Sequence, residues 1–150
     1  VRAPGALALC LAAAPAAAPG GLPGDVSGDW VGAYTCVQGV TALDLAIKTL
    51  RTGELRALFH FRADPSNPGV PEGCYAMTGV IAGSQVSLKP DRWLLQPRGF
   101  SMVGLEGRLA QGRIEGRISF PGCTSFEVAR ASAPPDRALA CAPPEVVAGL

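Results

Sequence analysis

Hydrophobic and polar residues alternate along most of this chain, and the alternation predicts strands. From Thr41 to Lys48, Leu43, Leu45 and Ile47 fall on one face, with Asp44, Ala46 and Lys48 on the other. From Leu55 to Arg62, Leu55, Ala57, Phe59 and Phe61 oppose Arg56, Leu58, His60 and Arg62. A period of two with one apolar face marks a half-buried strand. Arg51-Thr52-Gly53 suits a three-residue hairpin loop with Gly53 in the left-handed conformation, and this length pairs Leu45 with Phe59 and Leu43 with Phe61. A two-residue Gln111-Gly112 turn likewise pairs Leu109 with Ile114, Leu105 with Ile118 and Val103 with Phe120. Glu106, Arg108, Glu115 and Arg117 then face water. Gly73 to Val80 and Val86 to Lys89 form a third hairpin around Ala82-Gly83-Ser84-Gln85.

Two further strands are expected near the ends of the patterned region, Gly28 to Cys36 and Pro121 to Arg130. If they run antiparallel side by side, Cys36 lies opposite Cys123 and Asp29 opposite Arg130, since each pair of numbers has the same sum. That register sets Trp30 across from Ala129, whereas the apolar face of the last strand is Phe126, Val128 and Arg130. Either Trp30 and Tyr34 point outward, or a one-residue bulge near Thr124 shifts the pairing. The bulge is preferred, because bulges are frequent at barrel rims and Pro121-Gly122 already disrupts a ladder. About eight short strands in a sequential meander, first beside last, predict an all-β, antiparallel up-and-down barrel, with a β-sandwich as the alternative. Asp91 to Gly99 is ambiguous, with Trp93, Leu94 and Leu95 packed between two prolines, and Ala63 to Glu72 is the one long loop.

The ends of the chain lack alternation. Val1-Arg2 followed by the small, apolar run Ala3 to Ala14 reads as a secretory signal peptide with Ala14-Pro15-Ala16 as its cleavage site. A buried Ala-rich helix is the other reading, disfavoured by the absence of helical amphipathicity and the Pro and Gly that follow. A lipoprotein signal is disfavoured because Leu9 precedes Cys10 where a small residue is needed. The expected division is a signal peptide over 1-16, a linker over 17-27, the barrel over 28-130 and a flexible Ala/Pro-rich tail over 131-150.

Composition narrows the partners. A formal net charge of +1 with scattered basic residues provides no footprint for nucleic acid or anionic lipid. No later stretch approaches the ~18 apolar residues of a membrane span. A periplasmic or secreted location makes Cys36, Cys74, Cys123 and Cys141 candidates for disulfides. Strand pairing predicts a Cys36 to Cys123 bridge. Cys74 and Cys141 are then free or joined to each other, with free thiols expected because Cys141 lies in the tail.

Several motifs resemble known families. Gly28-Asp29-Trp30 is similar to the Gly-x-Trp motif on the first strand of lipocalins and their relatives, the calycins, in which an arginine of the last strand packs across the tryptophan. The resemblance implies that role for Arg130, with Trp30 and Arg130 forming a structural plug. Trp30-x-Gly32-x-Tyr34-x-Cys36-x-Gln38-Gly39-x-Thr41, then Val70-Pro71 and Met77-Thr78-Gly79, then Gly99-Phe100 and Pro121-Gly122-Cys123-x-x-Phe126, resembles a recurring bacterial exported domain found alone or joined to enzyme domains. That resemblance implies a compartment and a fold but no catalytic residue, and Cys74 and Cys141 stand outside its pattern.

Catalytic chemistry has little to build on. The only histidine, His60, falls opposite Asp44 on the outer face, where an Asp-His pair can orient a general base. No serine or cysteine can be placed beside it from sequence, so the pair reads as a solvated cross-strand contact. One histidine and no Cys-x-x-Cys spacing leave no tetrahedral metal set, and no cofactor motif is present. The expected function is therefore non-enzymatic: an envelope interaction or structural module, docking a protein partner through the Pro-rich loop Asp64 to Glu72 and the outer sheet face. The alternatives are a small apolar ligand in the barrel mouth, lined by Trp30, Tyr34, Phe59, Phe61, Tyr75, Trp93 and Phe100, and, disfavoured, a hydrolase. A filled interior favours the first reading and an open one the second.

Overall fold

The computed structural model describes residues 25–142, so the signal peptide expected over 1-16 lies outside the described residues. Eight strands form a closed antiparallel barrel in sequence order: β1 (Gly28–Cys36), β2 (Gly39–Thr49), β3 (Leu55–Ala63), β4 (Gly73–Ala82), β5 (Gln85–Leu95), β6 (Gly104–Ala110), β7 (Arg113–Ser119) and β8 (Ser125–Arg130). The β2–β3 ladder pairs Leu45 with Phe59 and Leu43 with Phe61, and Gly53 in the intervening loop has φ +88°. The β6–β7 ladder pairs Leu109 with Ile114 and Leu105 with Ile118. Gln111 and Gly112 both have positive φ, the type I′ geometry whose twist matches the flanking strands. Loop chemistry and apolar pattern therefore select the same register in both hairpins.

Closure between β1 and β8 needs the bulge. Trp30 pairs with Arg130 and Tyr34 with Phe126, one residue out of step with the Cys36–Cys123 disulfide. The slip falls at Thr124, whose N–H donates to the Thr35 carbonyl at 3.0 Å. Trp30 and Tyr34 consequently point inward and are buried.

Five expectations are corrected. The ambiguous stretch Asp91 to Gly99 is strand as far as Leu95, and the ladder accommodates Pro90 through irregularities opposite Cys74/Tyr75 and Ala76/Met77. Phe120 does not join the inner face beside Val103; the Pro121-Gly122 turn carries it outward, and it is 42% exposed. The end of the expected linker is part of the fold, because Val26 is buried and its carbonyl accepts from Trp30 Nε1 at 2.9 Å. The tail is anchored as far as a 3₁₀ turn at Leu139–Cys141. A disulfide joins Cys74 to Cys141, where free thiols were expected.

The two ends of the barrel differ. At one end short turns join the strands, and Val26, Trp30 and Arg130 plug the opening. The other end carries the β1–β2 turn and the longer connections 64–72, 96–103 and 120–124. Across the outside of β2 to β5 runs the strap formed by residues 131–142. Ala46, Leu58 and Cys74 point outward, and Cys141 with the partly buried Leu94, Leu95 and Ala138 covers them in a second apolar cluster.

Candidate functional site

Most of the seven candidate lining aromatics fill the barrel. Phe59 stacks on Tyr75 with centroids 4.6 Å apart. Tyr34 meets Phe59 edge-on at 5.2 Å, Trp93 meets Tyr75 edge-on at 5.1 Å, and Phe61 stacks on Phe100 at 5.3 Å. Such offset and T-shaped contacts belong to a packed core. Tyr75 Oη donates to the Val103 carbonyl at 2.8 Å and accepts from the Val103 N–H at 2.9 Å, so its polar end is satisfied. Burial pushes the hydroxyls of Tyr34 and Tyr75 above their ordinary range. Trp30 sits at the opposite end, with the Arg130 guanidinium 4.4 Å from its ring centroid. Arg130 also donates to the carbonyls of Ser27 at 2.8 Å and Asp25 at 2.6 Å. Asp29, adjacent in sequence to Trp30, faces Arg137 instead, at 3.4 Å.

A recess of about 260 Å³ opens at the long-loop end, lined by Tyr34, Cys36, Val37, Gln38, Gly99, Phe100, Ser101, Val103, Phe120 and Cys123. Its rim is apolar: Val37 is 85% exposed and Phe120 lies beside it as a partly exposed ring. Gln38 Nε2 donates to Tyr34 Oη at 3.2 Å and to Thr41 Oγ1 at 3.1 Å, fixing the polar edge. The Pro-rich loop braces this end, since Asn67 Nδ2 donates to the carbonyls of Gln38 and Val40 and Val70 is buried. A shallow groove of about 570 Å³ on the outside carries Arg108, Glu115, Arg117 and Glu127, so its charges are of both signs.

The second notable place is the expected solvated pair, and here the structure differs. His60 and Asp44 are fully buried. They do lie on the outer face, but the strap covers them. His60 Nδ1 contacts Asp44 Oδ1, and Nε2 lies 2.7 Å from Glu72 Oε1, so the ring offers a nitrogen to a carboxylate on each side. Asp44 also accepts from Arg62 Nη1 at 3.2 Å and from Arg137 Nε at 2.9 Å, and the Arg137 Nη2 lies in ion-pair contact at 2.8 Å. Glu72 accepts from the Ala138 N–H at 2.8 Å, and that bond, followed by the one from His60, holds its carboxyl below the ordinary range. Every buried polar side-chain atom among the described residues has a partner, as a buried ionic network requires.

Arg137 was not among the expected site residues, Glu72 was expected only as the end of the docking loop, and Cys141 only as a free thiol or disulfide partner in the tail. The signal was indirect: Ala46 and Leu58 are apolar on faces otherwise read as solvent-facing, and a cysteine stands alone in each of β4 and the tail. A strand buried on both faces needs a cover, and the cover here has no periodicity of its own.

These features define a small, cystine-tied up-and-down barrel with a filled interior, an apolar recess at its long-loop end and a strap over a buried ionic cluster. No protein-family model, curated protein or solved structure matches the chain.

Proposed function

We propose that the chain is a non-enzymatic, exported β-barrel module that binds an envelope protein at its long-loop end, receiving one apolar side chain of that partner in the recess beside Tyr34, Val37 and Phe120. The observation that carries this reading is the packing of the interior. With Phe59, Phe61 and Tyr75 filling the barrel, the recess of about 260 Å³ falls short of the ~300 Å³ at which small-molecule pockets begin. An 85% exposed valine at the tip of a turn braced by Asn67 suits a rigid docking rim. Both ring nitrogens of His60 face carboxylates, leaving none to accept a proton from a nucleophile, which supports a non-catalytic role. Export is supported by the Ala-rich start, by two disulfides and by the resemblance of the Trp30 to Thr41 motif to a bacterial exported domain. Among the described residues no helix is long and apolar enough to cross a membrane.

The test places a photoreactive residue at position 37 in producing cells, with position 113 on the plugged end as the comparison. A discrete protein adduct at 37 and none at 113 is expected. No adduct at 37 overturns docking at this end, and a small molecule retained in native mass spectra of the purified chain carries the ligand alternative instead.

A further inference from the structure

We propose that the clasp of the strap is also a metal site opened by reduction, taking a thiophilic divalent ion of the Zn²⁺ class on His60, Glu72 and Cys141, with Cys74 completing the set. One ligand atom from each of His60, Glu72 and Cys141 already lies within 4.8 Å of the others. Around a tetrahedral ion with bonds of about 2.0 to 2.3 Å, ligand atoms sit about 3.5 Å apart. Shifts of an ångström or so therefore gather these three around one centre. Cys74 Sγ, bonded to Cys141 Sγ in the oxidised form, is the adjacent fourth donor.

The surroundings fit a metal-binding histidine. Asp44 is buried and takes the Nδ1 side of His60, leaving Nε2 towards Glu72 and the strap. A carboxylate on the far nitrogen is the usual outer-shell arrangement that fixes tautomer and ring direction in zinc sites. Charge also fits. In the oxidised state Arg62 and Arg137 pair with Asp44, while Glu72 meets His60 Nε2 and the Ala138 N–H. Two thiolates add two negative charges, which a dication offsets. The ligands come from β3, from β4 and the residue before it, and from the strap, which is why no local cysteine spacing announces them.

Electrons and protons balance with a dithiol reductant. R(SH)₂ passes two electrons and two protons to the Cys74–Cys141 bond, which breaks to two protein thiols as the reductant becomes its cyclic disulfide. Binding then releases to solvent one proton from each thiol and any proton on His60 Nε2, since each donor atom must present a lone pair to the ion. The ion thereby replaces the disulfide as the fastening of the strap. This inference stands apart from docking at the recess, because none of its residues lines that opening.

The experiment reduces the full chain with excess dithiothreitol under argon, removes the reductant and titrates with Co²⁺. One Co²⁺ per chain is expected, with thiolate charge-transfer bands and the strong visible bands of tetrahedral cobalt, displaced by Zn²⁺. The oxidised chain gives none. Zn²⁺ also raises the melting temperature of the reduced chain and leaves that of the oxidised chain unchanged. Cys141→Ser and His60→Ala abolish the bands, and Glu72→Gln, on a partly exposed side chain, weakens binding about tenfold. Bands that persist in Cys141→Ser assign the ion to the other freed cysteines and overturn the site, as does a reduced chain that binds no metal. If circular dichroism shows His60→Ala unfolded, Glu72→Gln decides: affinity equal to the parent overturns the ligand set.

Discussion

Arg130 joins the end of the last strand to the start of the first through one planar group. Its guanidinium lies over Trp30 while two of its nitrogens reach the carbonyls of Asp25 and Ser27. A lysine supplies the charge but neither the stacking plane nor the fork. Arg130→Ala should lower stability by about 1 kcal/mol, since the site is exposed, and Arg130→Lys should restore only part of it. Thermal melts of the two variants read this directly, and parent-like midpoints in both remove Arg130 from the plug. Glu72 makes a prediction in pH. Its carboxyl is depressed by the Ala138 N–H and by His60, so between its folded and unfolded values the unfolded chain binds the extra proton. The stability it contributes is complete above the ordinary value of 4.5 and is lost as pH falls through the depressed folded value. Glu72→Gln should flatten the fall of stability with acid in that window, measured by denaturant melts across it. An unchanged slope means the strap does not depend on this carboxylate.

Elements whose apolar period and turn residues agree are legible in the sequence. The β2–β3 and β6–β7 registers follow from Gly53 and from Gln111-Gly112, because a one-residue slip turns every buried side chain outward. The inner aromatics were legible as inward, and so was the slip at Thr124. The strap was not. Arg137, Ala138 and Cys141 sit in an Ala/Pro-rich stretch with no repeat, and their placement depends on long-range partners that local pattern does not encode. For the same reason His60 and Asp44 read as solvated although their strand positions were right. Gly32 shows a constraint of the seam itself: a Cβ there would lie 1.9 Å from the Glu127 carbonyl oxygen, a backbone atom that cannot swing aside. Gly32→Ala should therefore force β1 and β8 apart and lower stability by about 1 to 3 kcal/mol, the range for overpacking. Faster amide exchange confined to β1 and β8 is the accompanying sign, and parent-like exchange there argues against the close approach.

At the scale of the whole molecule, two disulfides secure two different boundaries. Cys36–Cys123 spans 87 positions and ties the first strand to the last at the open rim. Cys74–Cys141 spans 67 and holds the strap over β2 to β5. On the chain-entropy account the two cross-links stabilise similarly, about 4 to 5 kcal/mol each, because the dependence on loop length is logarithmic. Their local consequences should nevertheless separate. Replacing Cys36 and Cys123 by alanine loosens the seam, so amide exchange should rise in β1 and β8 while Asp44 and His60 stay covered by the strap. Cys141→Ser releases the cover: exchange should rise at residues 131–142 and on the strands carrying Ala46, Leu58 and His60, with the Trp30–Arg130 end protected as in the parent. Peptide-resolved hydrogen exchange under native conditions measures both variants at once. Matching patterns would mean that the barrel and its strap open as one cooperative unit, and that the strap is an integral part of the fold rather than a separately fastened cover.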